Sequence, residues 1–319
     1  MKIVKAVAPY WHREGINFKH QAYEAWVKCG GQVAKAHYPW RIFHGLAYRW
    51  ELPTLWKNKK EARLRFVEPV SISFDTFPDY ARYEIIPFVW DCWPCHFEKM
   101  CGWLKKHEVR TAIFTSSQTA ERMQKRFPEM NLMYCPEGID TSKYIAGSPL
   151  REREIDALEF GRNANLNLNR SGYNYICTKV DGKFLFTNEQ LVEAMGNAKV
   201  TVALPRSITD PEVAGDIETL TQRYWECMLS RMVMVGHAPK ELVDLIGYNP
   251  VIEFNANLND NANGNFEEGI VQRIKEVLEN IEDYQALVDR NREMALCMAS
   301  WEIRMKQVME WLRGLGYEV

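Results

Sequence analysis

Two glutamates with seven residues between them, Glu218 and Glu226, carry the clearest chemical signal in this sequence. A strand is predicted to end at Pro205, a polar loop follows, and a helix is expected to begin near Thr219-Leu220-Thr221. Glu218 then stands just before that helix and Glu226 about two turns inside it. The arrangement suits a nucleotide sugar. Exposed N–H groups at a helix start offer positive potential to a diphosphate. An inner carboxylate such as Glu226 offers a fixed acceptor pair to a ribose diol. Glu218, on the loop, is placed for the hydroxyls of a donor sugar. Spacing alone is weak, since an isolated helical glutamate is usually a solvated surface residue.

A second group follows the predicted strand 85–90: Asp91, then Cys92-Trp93-Pro94-Cys95, then His96. Strand, Cys-x-Pro-Cys and helix is also the layout of a thioredoxin-like redox site, where a helix N-terminus lowers a thiol pKa. A thioredoxin unit is compact, however, and this motif sits fourth or later in a larger parallel array. Zinc held by Cys92, Cys95, His96 and Cys101 fits less well, because consecutive Cys95-His96 rarely suits a tetrahedral site.

The elements that must position these groups alternate. Residues 3–8 read as a strand and 18–28 as a helix with Ala22, Tyr23, Trp26 and Val27 at helical spacing. Gly30-Gly31 closes that helix, and 32–37 returns as a strand, which makes a right-handed βαβ opening. Residues 38–84 are rich in aromatic and basic residues with weak periodicity, and no element is assigned there. Further strands are expected at 85–90, 111–114, 155–160, 200–204, 233–235 and 251–254, with helices at 96–107 and 118–126. The Asn-rich run 255–265 reads as a surface loop, and two helical patterns continue from 266 to about 314. Gly147, Ser148 and Pro149, among charges in 141–153, make the best linker.

With 319 residues the chain accommodates two domains. A net charge of −2 with mixed signs gives no reason to expect nucleic acid as a partner. No stretch of about 18 apolar residues occurs, so no membrane span is expected, while a peripheral membrane contact is left open. The eight scattered cysteines fit a cytoplasmic chain with reduced thiols. Eleven tryptophans could stack on sugar rings, but core packing is the leading explanation.

Taken in order, these motifs resemble the retaining glycosyltransferases of the GT-B fold, the group often called family four, which act in polysaccharide synthesis. Glu218 and Glu226 with Arg223-Tyr224-Trp225-Glu226-Cys227-Met228 are similar to that family's glutamate pair. Phe160-Gly161-Arg162 is similar to its Gly-Arg, whose arginine holds the diphosphate, and Pro136-Glu137-Gly138-Ile139-Asp140 to its Pro-Asn-Gly-Val-Asp turn. Gly15 and Gly30-Gly31-Gln32-Val33 resemble its N-terminal glycine loop and the following step. Position 167 is Asn where relatives carry lysine, with Arg170 as a candidate replacement, and Arg231 stands where a glycine is common.

The resemblance implies an α/β protein of two Rossmann-like parallel-sheet domains facing each other across a cleft. Residues 1–147 would bind the acceptor and 148–299 the nucleotide sugar, with 300–319 packing back on the first domain. It implies transfer from a UDP- or GDP-sugar to a carbohydrate or glycolipid hydroxyl, with retention. No cofactor beyond the nucleotide-sugar co-substrate is expected, and no metal, in keeping with a sequence that has no Asp-x-Asp triplet. Implied catalytic residues are Arg162, Glu218 and His96, with Glu226, Thr219, Leu220, Thr221, Arg170 and Gly15 on the donor and Asp91 on the acceptor side. The same fold serves nucleotide-sugar epimerases and could serve a non-catalytic binding protein.

Overall fold

A computed structural model describes residues 1–9, 18–35, 57–161, 173–180, 183–254 and 265–319. The chain divides into two units, each built on a parallel sheet. The first comprises Met1–Gly138, Glu212–Thr219 and Trp301–Val319; the second comprises Ile139–Pro211 and Leu220–Ser300.

In the first unit the strands are β1 (Lys2–Val7), β2 (Val33–Ala34), β3 (Glu61–Val67), β4 (Glu84–Val89), β5 (Thr111–Phe114) and β6 (Asn131–Tyr134). Their order is β2-β1-β3-β4-β5-β6, and the C-terminal strand Tyr317–Glu318 pairs with the start of β1. Helices α1 (Phe18–Lys28), α2 (Pro94–Lys106) and α3 (Ser117–Arg126) belong to this unit. Helix α1 buries Ala22, Ala25 and Trp26. It ends at Gly30, whose φ of +85° is a glycine conformation. The Trp26 indole donates to the Gln32 carbonyl at 2.9 Å. The C-terminal helix Trp301–Gly314 packs Trp301, Met305, Val308 and Leu312 into the same core, beside Leu64, Phe88 and Trp90. Trp26, Trp90, Trp93, Trp103, Trp225 and Trp301 are all buried, so these tryptophans are core residues.

Strand β3 is a correction to the sequence reading, which assigned no element in 38–84. It runs Glu-Ala-Arg-Leu-Arg-Phe-Val through the middle of the sheet, with Arg63 and Arg65 buried. Each arginine is compensated. Arg63 pairs with Glu61 at 2.7 Å and lies over the Tyr83 ring at 3.7 Å. Arg65 meets Asp79 at 3.3 Å and donates to the Phe77 carbonyl. Three charged residues in seven erase the apolar run by which a central strand is normally recognised.

The second unit holds β7 (Ile155–Glu159), β8 (Tyr175–Cys177), a hairpin of β9 (Lys179–Val180) and β10 (Lys183–Phe184), then β11 (Ala198–Ala203), β12 (Val233–Gly236) and β13 (Val251–Glu253). The main sheet is all parallel, in the order β8-β7-β11-β12-β13. Its longer helices are α4 (Asn188–Gly196), α5 (Gln222–Leu229), α6 (Lys240–Ile246), α7 (Asn265–Glu279) and α8 (Gln285–Met298). Thr187 and Gln190 close a capping box on α4. The two helical patterns expected after 266 are thus three helices, because a short 3-10 turn and Ala299-Ser300 interrupt them.

The stretch 141–153, expected to link the domains, lies inside the second unit. Arg153 fixes it there, donating to the carbonyls of Ala146, Ser148 and Ala198 at 2.8, 2.9 and 2.7 Å. Burial pushes the Arg153 guanidinium down to about 10. The boundary falls earlier, at Gly138/Ile139.

Candidate functional site

In both parallel sheets the first strand lies between the next two strands of that sheet, β1 between β2 and β3, and β7 between β8 and β11. Connections leaving the two sides of such a strand open a crevice at its carboxyl end, where open α/β sheets bind ligands.

In the second unit the crevice lies where β7 runs into Phe160-Gly161 and β11 into Leu204-Pro205. Gly161 has a φ of +62°, in the left-handed region. A Cβ there would lie 2.5 Å from Nη2 of Arg223, so the guanidinium rests directly on the glycine backbone. The same group stands 5.6 Å from the Phe160 ring centroid. Arg223 is in the first turn of α5, whose N-cap is Thr221, so the helix begins slightly later than the sequence suggested. Glu226, one turn further, is buried. The Tyr144 hydroxyl donates to Glu226 Oε1 at 2.9 Å. Burial raises the Glu226 carboxyl pKa, while the Tyr144 hydrogen bond and the Arg223 charge pull it back. Leu220 is buried, and its amide donates to Glu241 Oε2 at 2.9 Å, so that amide is engaged inside the protein. On the other side of the crevice, Arg206 is held by Asp210 at 2.6 Å.

In the first unit the β1/β3 position holds a small cavity of about 20 Å³, lined by Val7, Ala8, Pro9, Lys19, Arg65, Phe66 and Asp75. That is room for about one water molecule. Asp75 is buried and accepts a hydrogen bond from Ser71 at 2.7 Å, and burial raises its pKa. Just past the end of β4, Asp91 adopts a φ of +50°. For a residue other than glycine this conformation is uncommon and marks a position worth attention. Pro94 starts α2 at its favoured first position, and His96 is half-buried in the first turn.

The segment Glu212–Thr219, which carries Glu218, is fastened to this turn. Trp93 packs with Ala214 and Ile217, and Gly215 lies against Pro94. Gln118 accepts from the Glu218 amide at 2.7 Å and donates to the Asp216 carbonyl at 3.0 Å. Arg122 binds both Asp216 carboxylate oxygens at 2.8 and 2.6 Å. Asp91, His96 and Glu218 are thus brought into one neighbourhood of the first unit, and Thr219 ends that segment. Glu226, Leu220 and Thr221 belong to the second unit. Gly15, Arg162, Arg170 and residues 255–264 of the expected Asn-rich loop lie outside the described residues.

The cysteine alternative finds no support in its surroundings. Cys92 is buried and its thiol is pushed well above the ordinary range by that burial, the reverse of an activated thiolate. Cys95 is exposed and unbridged. Among the described residues no group of three or more His, Cys, Asp or Glu is arranged to hold a metal ion, the Cys92-Cys101 region included. Nor is any described helix long and apolar enough to cross a membrane.

No protein-family model matches the sequence, and no curated protein does. Solved structures match it over nearly its whole length. Sucrose-phosphate synthase (tll1590) from Thermosynechococcus elongatus superposes with a TM-score of 0.62 at 11% identity, over 99% of this chain and 99% of that one. Anabaena Alr3699/HepE in complex with UDP and glucose gives 0.60 at 8% identity, over 98% and 100%. TarM gives 0.54 at 10% identity over 80% of this chain, which spans about half (55%) of TarM. The fold is GT-B. At these identities the likeness establishes the GT-B architecture alone, and the chemistry must be argued from the residues.

Three GT-B residues of interest escaped the sequence reading as site members. Arg223 was quoted only as part of a motif, although its position three residues before Glu226, on the same helix face, was a usable signal. Tyr144 is 82 residues from its partner Glu226 and gave none. Asp75 fell in the stretch where no element was assigned.

Proposed function

We propose that this protein is a glycosyltransferase that moves a sugar from a nucleoside diphosphate sugar to a hydroxyl acceptor, with retention and without a dedicated metal. The observation that carries the reading is the buried Glu226, held by Tyr144 and acted on by the Arg223 charge, beside the β7/β11 crevice of a GT-B second unit. A carboxylate fixed in this way can bind both hydroxyls of a ribose. Arg162 and Arg170, which follow Gly161 in the sequence, would meet the diphosphate, with Thr221 at the start of α5. Thr219 and Glu218 would face the donor sugar, with His96 alongside.

In the reaction the bond between the anomeric carbon and the phosphate oxygen breaks, and its electron pair leaves with the diphosphate. The acceptor oxygen attacks from the same face, and its proton passes to the departing diphosphate. No protein nucleophile is needed, in contrast to the paired carboxylates of retaining glycosidases. Fixed positive groups around the leaving phosphate carry the catalysis; losing one such donor costs about 2.7–4 kcal/mol in well-studied enzymes. Asp91 and the Asp75 cavity would orient the acceptor.

Incubation with a panel of UDP- and GDP-sugars, with and without carbohydrate or glycolipid acceptors, tests the reading through release of the nucleoside diphosphate. Release that depends on acceptor is expected, with a product of unchanged anomeric configuration by NMR and undiminished turnover in EDTA. Conversion of the nucleotide sugar without release would instead mark an epimerase. Failure to bind any nucleoside diphosphate would overturn the reading.

A further inference from the structure

All strands of the first sheet pair in parallel, so their starts share one end, opposite the β1/β3 crevice. At that end lies a cleft of about 430 Å³, within the size range of small-molecule sites. Its polar side chains all come from strand starts. Lys2 opens β1, Lys59 precedes β3, Glu84 opens β4, Arg110 and Thr111 stand at the start of β5, and Asn131 opens β6. Tyr317, which opens the C-terminal strand, joins them beside β1.

Two layers of polar groups differ in what they leave free. Glu84 is buried; Lys2 pairs with its Oε2, and the Tyr317 hydroxyl donates to its Oε1 at 2.6 Å. The hydroxyl of the buried Thr111 lies 3.1 Å from the Tyr317 oxygen. This network neutralises the one carboxylate among the lining residues. Lys59 and Arg110, in contrast, are exposed, and their side chains have no hydrogen-bond or ion-pair partner among the described residues. The cleft therefore keeps an excess of two positive side-chain charges. Offsetting helix dipoles does not explain them. Helices α1, α2 and α3 each follow a strand, so their carbonyl ends come to this end of the sheet. Each already carries its own cations in its last turn: Lys28 on α1, Lys105 and Lys106 on α2, Lys125 and Arg126 on α3.

We propose that this cleft binds the phosphate monoester of a small hydroxylated molecule, such as a sugar phosphate, at a site separate from the crevice. A phosphomonoester carries a charge of about −1.5 to −2 at neutral pH, which matches the two unpaired cations; a carboxylate supplies roughly half of that. The Arg110 guanidinium can meet two phosphate oxygens at once, and Lys59 adds a point charge. The Asn131 side-chain amide also has no partner among the described residues and offers hydroxyls both a donor and an acceptor.

The test is calorimetry of the full chain with glucose 6-phosphate, fructose 6-phosphate, glycerol 3-phosphate, inorganic phosphate and glucose. Arg110→Gln and Lys59→Gln, both at exposed positions, leave the core intact. At least one ester should bind wild type more tightly than inorganic phosphate, with no heat from glucose. Each substitution should weaken that ester about tenfold or more, the size of one charged hydrogen-bonding contact. In an NMR titration of wild type, the Arg110, Asn131 and Tyr317 amides should shift with the ester. Failure of all three esters to bind at millimolar concentration overturns the proposal. So does equal affinity in wild type and both variants, which would leave Lys59 and Arg110 as solvated surface charges. Inorganic phosphate binding as tightly as the esters overturns the assigned ligand class, because the body of the ester would then contribute nothing. Binding of UDP does not enter this test, so the nucleotide-sugar reading and this one fail separately.

Discussion

Replacing Tyr144 by Phe isolates the hydrogen bond that its hydroxyl gives to the carboxylate of Glu226. The ring is retained, so packing around it changes little, and what disappears is a single hydroxyl donor at 2.9 Å. Glu226 is buried, and its pKa is already raised above the ordinary 4.5 by that burial. Between the unfolded and folded values the native state binds more protons than the unfolded chain. The contribution of this group to stability therefore falls as pH rises through that window. Tyr144 opposes the shift, because its hydroxyl favours the charged form. In the Phe variant the folded pKa climbs further and the ionised carboxylate loses a donor.

The loss of a hydrogen bond to a buried charged group is about 1.5–3 kcal/mol. For a unit of this size each kcal/mol moves the melting temperature by about 2–4 °C, so a drop of roughly 3–12 °C is expected at pH 8. The drop should shrink as pH falls toward 5, because protonation of Glu226 relieves the buried charge. Differential scanning calorimetry of both proteins at the two pH values reads this directly, following the transition of the second unit. Glu226→Gln provides the control: with no carboxylate to titrate, the effect of Tyr144→Phe on that background should be nearly independent of pH. A drop that is the same at pH 5 and pH 8, or one below about 1 °C at pH 8, would show that Tyr144 does not hold a charged Glu226.

Two further outcomes follow from the geometry. Glu108 adopts a φ of +50° just beyond the end of α2, where the chain turns so that the Val109 amide reaches the Leu104 carbonyl at 3.0 Å. Glu108→Gly should relieve about 1–2 kcal/mol of left-handed strain, less about 0.5–1 for the extra freedom of glycine when unfolded and a small loss from the exposed Lys57 pair, leaving a slight rise in melting temperature. A fall would mean that the turn depends on the Glu108 side chain. In a thiol titration of native protein, the exposed Cys95 and Cys297 should react promptly, while Cys92, Cys135 and Cys227, whose thiols burial pushes up, should react only on unfolding. A fast-reacting Cys92 at neutral pH would restore the redox alternative.

What could be read from the sequence, and what could not, divides along the range of the interactions involved. Strands β4, β5 and β12 are short, largely apolar runs that declare themselves, and Glu226 was visible because the strand, loop and helix around it follow one another in the chain. Strand β3 was hidden because Arg63 and Arg65 look like surface residues until Tyr83, Phe77 and Asp79 are brought against them. The same limit applies to the site. Glu218 and Glu226 look like one constellation at their spacing, yet Glu218 is carried by a segment that Trp93, Gln118 and Arg122 fasten to the first unit, while Glu226 is fixed by Tyr144 in the second. A motif of nine consecutive residues thus draws its two ends from two separately packed cores. This explains why the motif is a poor predictor taken alone: the spacing specifies only that the chain can pass from one unit to the other between the two glutamates. Whether each carboxylate is then aimed at a ligand depends on partners that lie 82 to 100 residues away in sequence. Substitutions at those partners should therefore impair the site as surely as substitutions of the glutamates themselves.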